Sequence, residues 1–406
     1  MNGQRLIRTM LALTVVLGLG LPTPSRAATT FVVGSTGDER DAVTADGICL
    51  TAATTCTLRA AIEQANALAG ADTIKFALAG GPPYSIQPAT DLPVITTSLM
   101  IDGTSQSGYT GTPLIELSGS LSTGSHVGLW ILGGTNLIRG MVLNSWSNCA
   151  ILMDGGETTV ESSYIGLNAA GTARAPNGFA GIRVRTPGST IGGLTEASRN
   201  VISGNDGPGI TIAPGPGGIP TTVTGNYIGI NPAGDTAIPN LGAGVSLGGD
   251  NITIGGTVPG ARNVISGNAG TGIGVWPGNN IVIQGNYVGL DATGAAEIGN
   301  DHMGVQLAGV GATLGGTSPE AGNVISANGS VGVYVNGSGN SIQNNLIGTD
   351  GAGAMAFGNT GAGVQITFGS DNTVGSDSPG AGNTIAHNGD GGVVIFLGLR
   401  GFLWVL

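Results

Sequence analysis

Four short phrases recur along the chain with one alternation of apolar and polar positions. "NVISGN" stands at Asn200–Asn205 and at Asn263–Asn268, "NVISAN" at Asn323–Asn328 and "NTIAHN" at Asn383–Asn388, 63, 60 and 60 residues apart. Phrases ending at Asn226, Asn286 and Asn345 align with them. Three residues before each terminal Asn lies Ile202, Val223, Ile265, Ile283, Ile325, Ile342 or Ile385, and the residue before that varies among Val, Thr and Ser. A constrained aliphatic beside a position that tolerates hydroxyls is a period of two. Each phrase therefore predicts a short strand with one buried face.

A second phrase is a Gly followed by alternating apolars, as in "GIRV" at 181, "GITI" at 209, "GVSL" at 244 and "GVYV" at 332, with eight copies 28 to 35 residues apart. The 60-residue repeat is thus two turns of about 30, each with room for three short strands between Gly, Asn, Pro or Ser bends. Short strands at a fixed period, with no helix between them, predict a solenoid. Equivalent strands pair in parallel, and each coil advances by roughly 4.8 Å. The seven aliphatics, Ile202 through Ile385, are expected to stack as one ladder inside the tube. Asn205, Asn268, Asn328 and Asn388 are expected to stack at the strand ends, bonding along the row or capping turns. A β-propeller, the competing architecture, needs antiparallel blades that this spacing does not suit.

The pattern divides the chain into residues 28–115, which do not repeat, residues 116–395, which do, and an apolar tail, 396–406. In the first part "CTLRAAIEQANALAG" (Cys56–Gly70) predicts a helix with Leu58, Ile62 and Ala65 on one face, Arg59 and Glu63 as an i, i+4 pair, Thr55 as its cap and Gly70 at its end. A first coil would otherwise expose a strand edge and the core, so this helix is expected to be the lid. For the tail, two readings stay open: a plug over the last coil, or the mark of a truncated chain. Phe396, Phe402 and Trp404 favour truncation, because a terminal repeat normally has a polar outer face.

"DGICLTAATTCTLRAAIEQAN" (Asp46–Asn66) resembles the Cys-Ser-Leu-Arg-Glu-Ala (CSLREA) module that opens many exported bacterial parallel β-helix proteins, with Ala60 in place of the usual glutamate. "IDGTSQSGYTGTPLIEL" and "GGTVPGARNVISGN" look like the same group. The resemblance implies an all-β, right-handed parallel β-helix of the pectin-lyase-like type with one N-terminal capping helix. It implies no activity, since fold does not carry function.

Residues 1–27 read as a secretory signal peptide: Arg5 and Arg8, an apolar run Met10–Leu21, then Ser25 and Ala27 at −3 and −1 of a small-residue cleavage site. Twelve apolar residues are short for a bilayer, so no membrane span is expected in the mature chain. Removing this segment takes 3 of the 13 basic residues and none of the 24 acidic ones, leaving 10 − 24 = −14. That balance argues against nucleic acid as a partner. An oxidising destination makes Cys49 and Cys56 a candidate disulfide and leaves Cys149 as a buried small residue.

Residues that do chemistry should break the repeat, because stacking does not require them. Arg183 and Arg185 lie two apart on "GIRVR" and should share an outer face. With Asp154 one coil earlier they form a candidate site for an anionic sugar, weighed against an exposed ion pair. Glu297, Asp301 and His302 are the best local acid–base cluster, weighed against a solvated turn. No catalytic residue is assigned. A glycosidase needs paired carboxylates, and the polygalacturonase-like pattern is absent. Asn168, Asn231, Asp291 and Asp350 stand in four related loops. Each offers at most one strong ligand where calcium takes six to eight, so turn capping is expected over metal binding, and no cofactor is assigned. The reading is a secreted or cell-surface structural and interaction protein, with extracellular polysaccharide as its candidate partner. The alternative is a carbohydrate-active enzyme, a polysaccharide lyase or glycoside hydrolase.

Overall fold

A computed structural model describes residues 27–213 and 218–396, together with the strand Trp404–Val405. The basic and apolar regions of the expected signal peptide, and most of the tail, lie outside the described residues. The short strands wind into three sheets. The first has 13 strands, from Thr30–Val33 to Trp404–Val405; the second has 11, from Tyr84–Ile86 to Thr384–Ile385; the third has 10, from Leu129–Ile131 to Val393–Ile395. Every strand pairing is parallel and joins one coil to the next, so the tube is a right-handed parallel β-helix, the hand that parallel crossovers take. Among the described residues no helix is long and apolar enough to cross a membrane.

The aliphatic stack differs from the single ladder expected. Ile202, Ile265, Ile325 and Ile385 lie in the second sheet, in register with Ile228, Val288 and Ile347 from the alternate coils. Val223, Ile283 and Ile342 lie in the first sheet, in register with Ile191, Ile254, Leu314 and Val374. The phrases look alike because both kinds of strand leave through a left-handed residue, Gly in most copies, followed by Asn. Gly204 (φ 79°) and Gly225 (φ 71°) take the same left-handed turn at two different corners of the coil. Ile385, on the last full coil, is only half-buried.

The asparagines divide in the same way. Asn205, Asn268, Asn328 and Asn388 join Asn177, Asn240, Asn300 and Asn359 in one row between the second and third sheets, each side-chain amide donating to the next at 2.8–2.9 Å. Asn226, Asn286 and Asn345 belong to a second row, with Asn200, Asn263, Asn323 and Asn383, at the corner before the second sheet.

The helix is Leu58–Ala67, and its buried Leu58, Ala61, Ile62 and Ala65 close the first coil against Phe31, Val33 and Ile74. Its cap is Thr57, which accepts from the Ala60 N–H, and not Thr55. Thr55 is used up closing the loop of the Cys49–Cys56 disulfide, where its carbonyl accepts from Thr51 at 2.7 Å. The helix ends at Leu68, before Gly70. The expected Arg59–Glu63 pair is not formed. Arg59 is buried and clamps the Asp38 carboxylate and the carbonyls of Thr90 and Asp91, while Glu63 pairs with Arg40 at 2.9 Å. A lid must be tied to its neighbours, and a long cation facing inward does that better than one lying along its own helix.

Candidate functional site

The outer face of the third sheet carries most of the residues singled out from sequence. Ile182 and Val184 are fully buried, so Arg183 and the following Arg185 point away from the tube. Register aligns Arg183 with Leu152 and Trp130 on the two preceding coils. Four residues upstream on each of these coils, Phe179, Asn148 and His126 form a strip joined by backbone bonds of 2.7 and 3.0 Å. The result is a patch three coils wide in which the side chains interlock. The Arg185 guanidinium meets the Asp154 carboxylate at 3.1 Å, the Trp130 indole N–H donates to the other Asp154 oxygen at 3.1 Å, and the Arg183 guanidinium lies over the Phe179 ring at 4.9 Å. Trp130 stays 39% exposed with its one polar atom satisfied. Arg183 has no carboxylate partner among the described residues.

His126 edges the patch. Its Nδ1 faces the Asp91 carboxylate at 2.6 Å and its Nε2 faces the Thr123 carbonyl. A carbonyl only accepts, so Nε2 carries a hydrogen, and the carboxylate favours a second one on Nδ1. The Thr123 bond, followed by that of Asp91, holds the imidazole above its usual pKa. The protonated form of His126 is therefore favoured over the free imidazole.

Beyond the patch the same face becomes small and flat. Thr211, Ser246 and Gly274 continue the Arg183 position, and Gly207, Gly242 and Gly270 continue the strip. A second patch then rises. The Trp276 indole folds back across Gly274, where a Cβ would meet it at 3.6 Å, and donates to the Ser246 hydroxyl at 3.2 Å, leaving the side chain 49% exposed. Gln306 and Tyr334 follow in register, with His302 on the strip. Five coil steps separate Trp130 from Trp276, roughly 24 Å along the axis.

The three candidate acid–base residues are not brought together. Asp301 and His302 are exposed beside the third sheet, while Glu297 closes a small antiparallel bridge with Leu290 on a loop over the second sheet. No hydrogen bond or ion pair links them. That loop and its three equivalents fold onto the outside of the second sheet and bury Tyr227, Ile230, Val264, Tyr287 and Leu290 as a second, smaller core. Arg199 and Arg262 stack on the rings of Tyr227 and Tyr287 at 4.2 and 4.0 Å. The acids of these loops cap turns: Asp291 accepts the Ala295 and Ala296 N–H groups, and Asp350 those of Ala354 and Met355. Among the described residues no group of three or more His, Cys, Asp or Glu is placed to hold a metal. Cys149 is buried, which pushes its thiol up to about 12.

Trp130, Phe179, Trp276 and Tyr334 were not singled out from sequence. The signal was present: the third residue of each Gly-led phrase and the residue after the phrase face outward, and reading those positions as a column brings out Arg183, Tyr334 and Trp276 together.

Fold and face define the class as a right-handed parallel β-helix with a decorated third sheet. No family model matches the chain, and no curated protein does. Among solved structures, the A-module of Azotobacter vinelandii mannuronan C-5 epimerase AlgE4 is similar at 14% identity and a TM-score of 0.46, covering 93% of this chain and 91% of that one. The Dettilon tailspike protein (gp208) is similar at 13% identity and a TM-score of 0.42, covering 84% and 65%. A PL6 alginate lyase in complex with a trisaccharide is similar at 10% identity and a TM-score of 0.35, covering 91% and 85%.

Proposed function

We propose that this chain is an exported, carbohydrate-recognising β-helix whose ligand is an anionic polysaccharide laid along the outer face of the third sheet. The observation that carries the reading is the patch of Trp130, Asp154, Arg183 and Arg185. It combines an exposed indole face, a hydrogen-bonding carboxylate and a guanidinium left free to take a sugar carboxylate. The flat floor of Thr211, Ser246 and Gly274 and the indole of Trp276 supply room and a second stacking surface for the same polymer.

A carbohydrate-active enzyme is the second reading, and Arg183 is the observation that favours it. Proton removal beside a uronate carboxylate needs a fixed cation to hold the developing charge, and Arg183, on the outer face without a carboxylate partner among the described residues, would serve as one. Hydrolysis needs two carboxylates across the ligand; Asp154 is already tied to Arg185 and Trp130. Within this reading, elimination, which leaves an unsaturated product, is the better fit.

One experiment addresses both. Titration calorimetry of the folded chain against a polyuronate and a neutral glucan, with ultraviolet absorbance followed for unsaturated product, should give binding to the polyuronate alone. Equal binding to both polymers, or to neither, counts against the proposal. Product formation selects the second reading.

A further inference from the structure

Asp72 is 1% exposed and points into the tube at the start of the first sheet, on the same side as Ile74 and Phe76. Its Oδ1 accepts the Thr29 N–H at 2.7 Å, and its Oδ2, equally buried, has no hydrogen-bond partner among the described residues. No ion pair reaches it either. A carboxylate can accept several bonds, and a buried one with a single neutral donor is short of a cation. Thr29 is pinned from its other side, since its carbonyl accepts from the Thr73 N–H at 2.8 Å. Ala27 and Ala28, just upstream, are exposed. Ser25 and Ala27 place small residues at −3 and −1 of the Ala27–Ala28 bond.

We propose that the chain is cut between Ala27 and Ala28 and that the new α-ammonium of Ala28 completes the coordination of Asp72, locking the first strand of the cap. The cut is a hydrolysis by a host endopeptidase. Water adds across the amide, Ala27 leaves as a carboxylate, and the freed amine of Ala28 takes up a proton. Two independent observations converge: a sequence pattern marks the bond, and one residue from an N–H already held by Asp72 the structure offers a buried oxygen without a partner. Before the cut, Ala28 carries a neutral amide and Asp72 gains no cation. Export would thereby finish the fold as well as release the protein, whatever its ligand.

The test uses the full-length chain recovered after export. Intact mass should place the N-terminus at Ala28. The Ala28 α-amine should be labelled by an amine-reactive ester about ten-fold more slowly at neutral pH than in the denatured chain, the effect of a one-unit rise in its pKa. Asp72→Asn should restore the faster rate. An extra Gly inserted between Ala27 and Ala28 keeps the carboxylate but displaces the amine, and should restore it too. A mature chain that begins elsewhere, or an Ala28 amine labelled at the denatured rate, overturns the proposal.

Discussion

Arg139 holds Asp102 across two neighbouring coils through two parallel bonds of 2.9 Å, one to each carboxylate oxygen. The pair belongs to a ladder in the first sheet in which Lys75, Asp102, Arg139 and Glu161 alternate in sign in register. Burial pushes the Asp102 carboxyl up, and the bonds from Arg139 and Thr104 more than reverse this, so it titrates below the usual carboxylate range. Arg139→Met is expected to destabilise by about 2 kcal/mol, less than for a fully buried pair because Arg139 is one-third exposed. A depressed pKa stabilises above the unfolded value and loses its effect as pH falls through the folded one. Urea titrations of parent and variant should therefore converge below pH 3.8.

His126 gives the opposite pH sign. Its pKa is raised by Thr123 and Asp91, so its contribution is complete below the unfolded value of 6.5 and is lost as pH rises through the folded one. His126→Gln should melt lower than the parent at pH 5 to 6 and alike once pH exceeds the folded pKa. A constant gap across the range would mean the imidazole acts only by packing.

Asn268 sits mid-row, donating to Asn300 and accepting from Asn240. Asn268→Ala should cost about 2–3 kcal/mol, because it strands the buried Asn240 amide donor on one neighbouring coil and takes a donor from the buried Asn300 oxygen on the other. Asn388→Ala, at the half-buried end of the row, should cost about 1 kcal/mol or less. Equal losses in chemical denaturation would contradict a ladder that draws its worth from burial.

On the third sheet, Arg183→Gln should weaken polyuronate binding roughly ten-fold, the 1.5 kcal/mol of about one charge-assisted bond. Added salt should do the same to the parent. Trp276→Ala should weaken long oligomers and leave short ones unchanged, since roughly 24 Å separates it from Trp130. Calorimetry with oligomers of increasing length checks this.

Coil length, strand type and the inward aliphatics were legible in the sequence, because burial constrains every second residue. The division into two ladders was not. Ile202 and Val223 stand before the same Gly-Asn bend, and only the strand each one pairs with separates the corners. The helix was legible from Leu58 and Ile62, but its ion pairs were not: Arg59 finds Asp38, 21 residues away, and local spacing cannot reveal a partner brought in by the fold. Arg183, Arg185 and Asp154 stood out as charges in a charge-poor repeat. The indoles beside them did not stand out singly, since one apolar residue among many draws no notice until the outward positions of the Gly-led phrases are read as a column.

The asparagine rows have a direction. At most steps of each, the oxygen of one side chain accepts both the amide of the Asn one coil back and that residue's own backbone N–H, as Asn263 does for Asn226 and Asn300 for Asn268. Reversing one amide would press NH₂ against N–H, so no member can turn alone. The orientation adopted on one coil dictates that of the next. The dipoles all point one way, and the tube acquires a head and a tail in its interior. A coil added at the tail meets a ready pattern of donors that its own asparagine oxygen must accept, and a coil presented backwards would be refused.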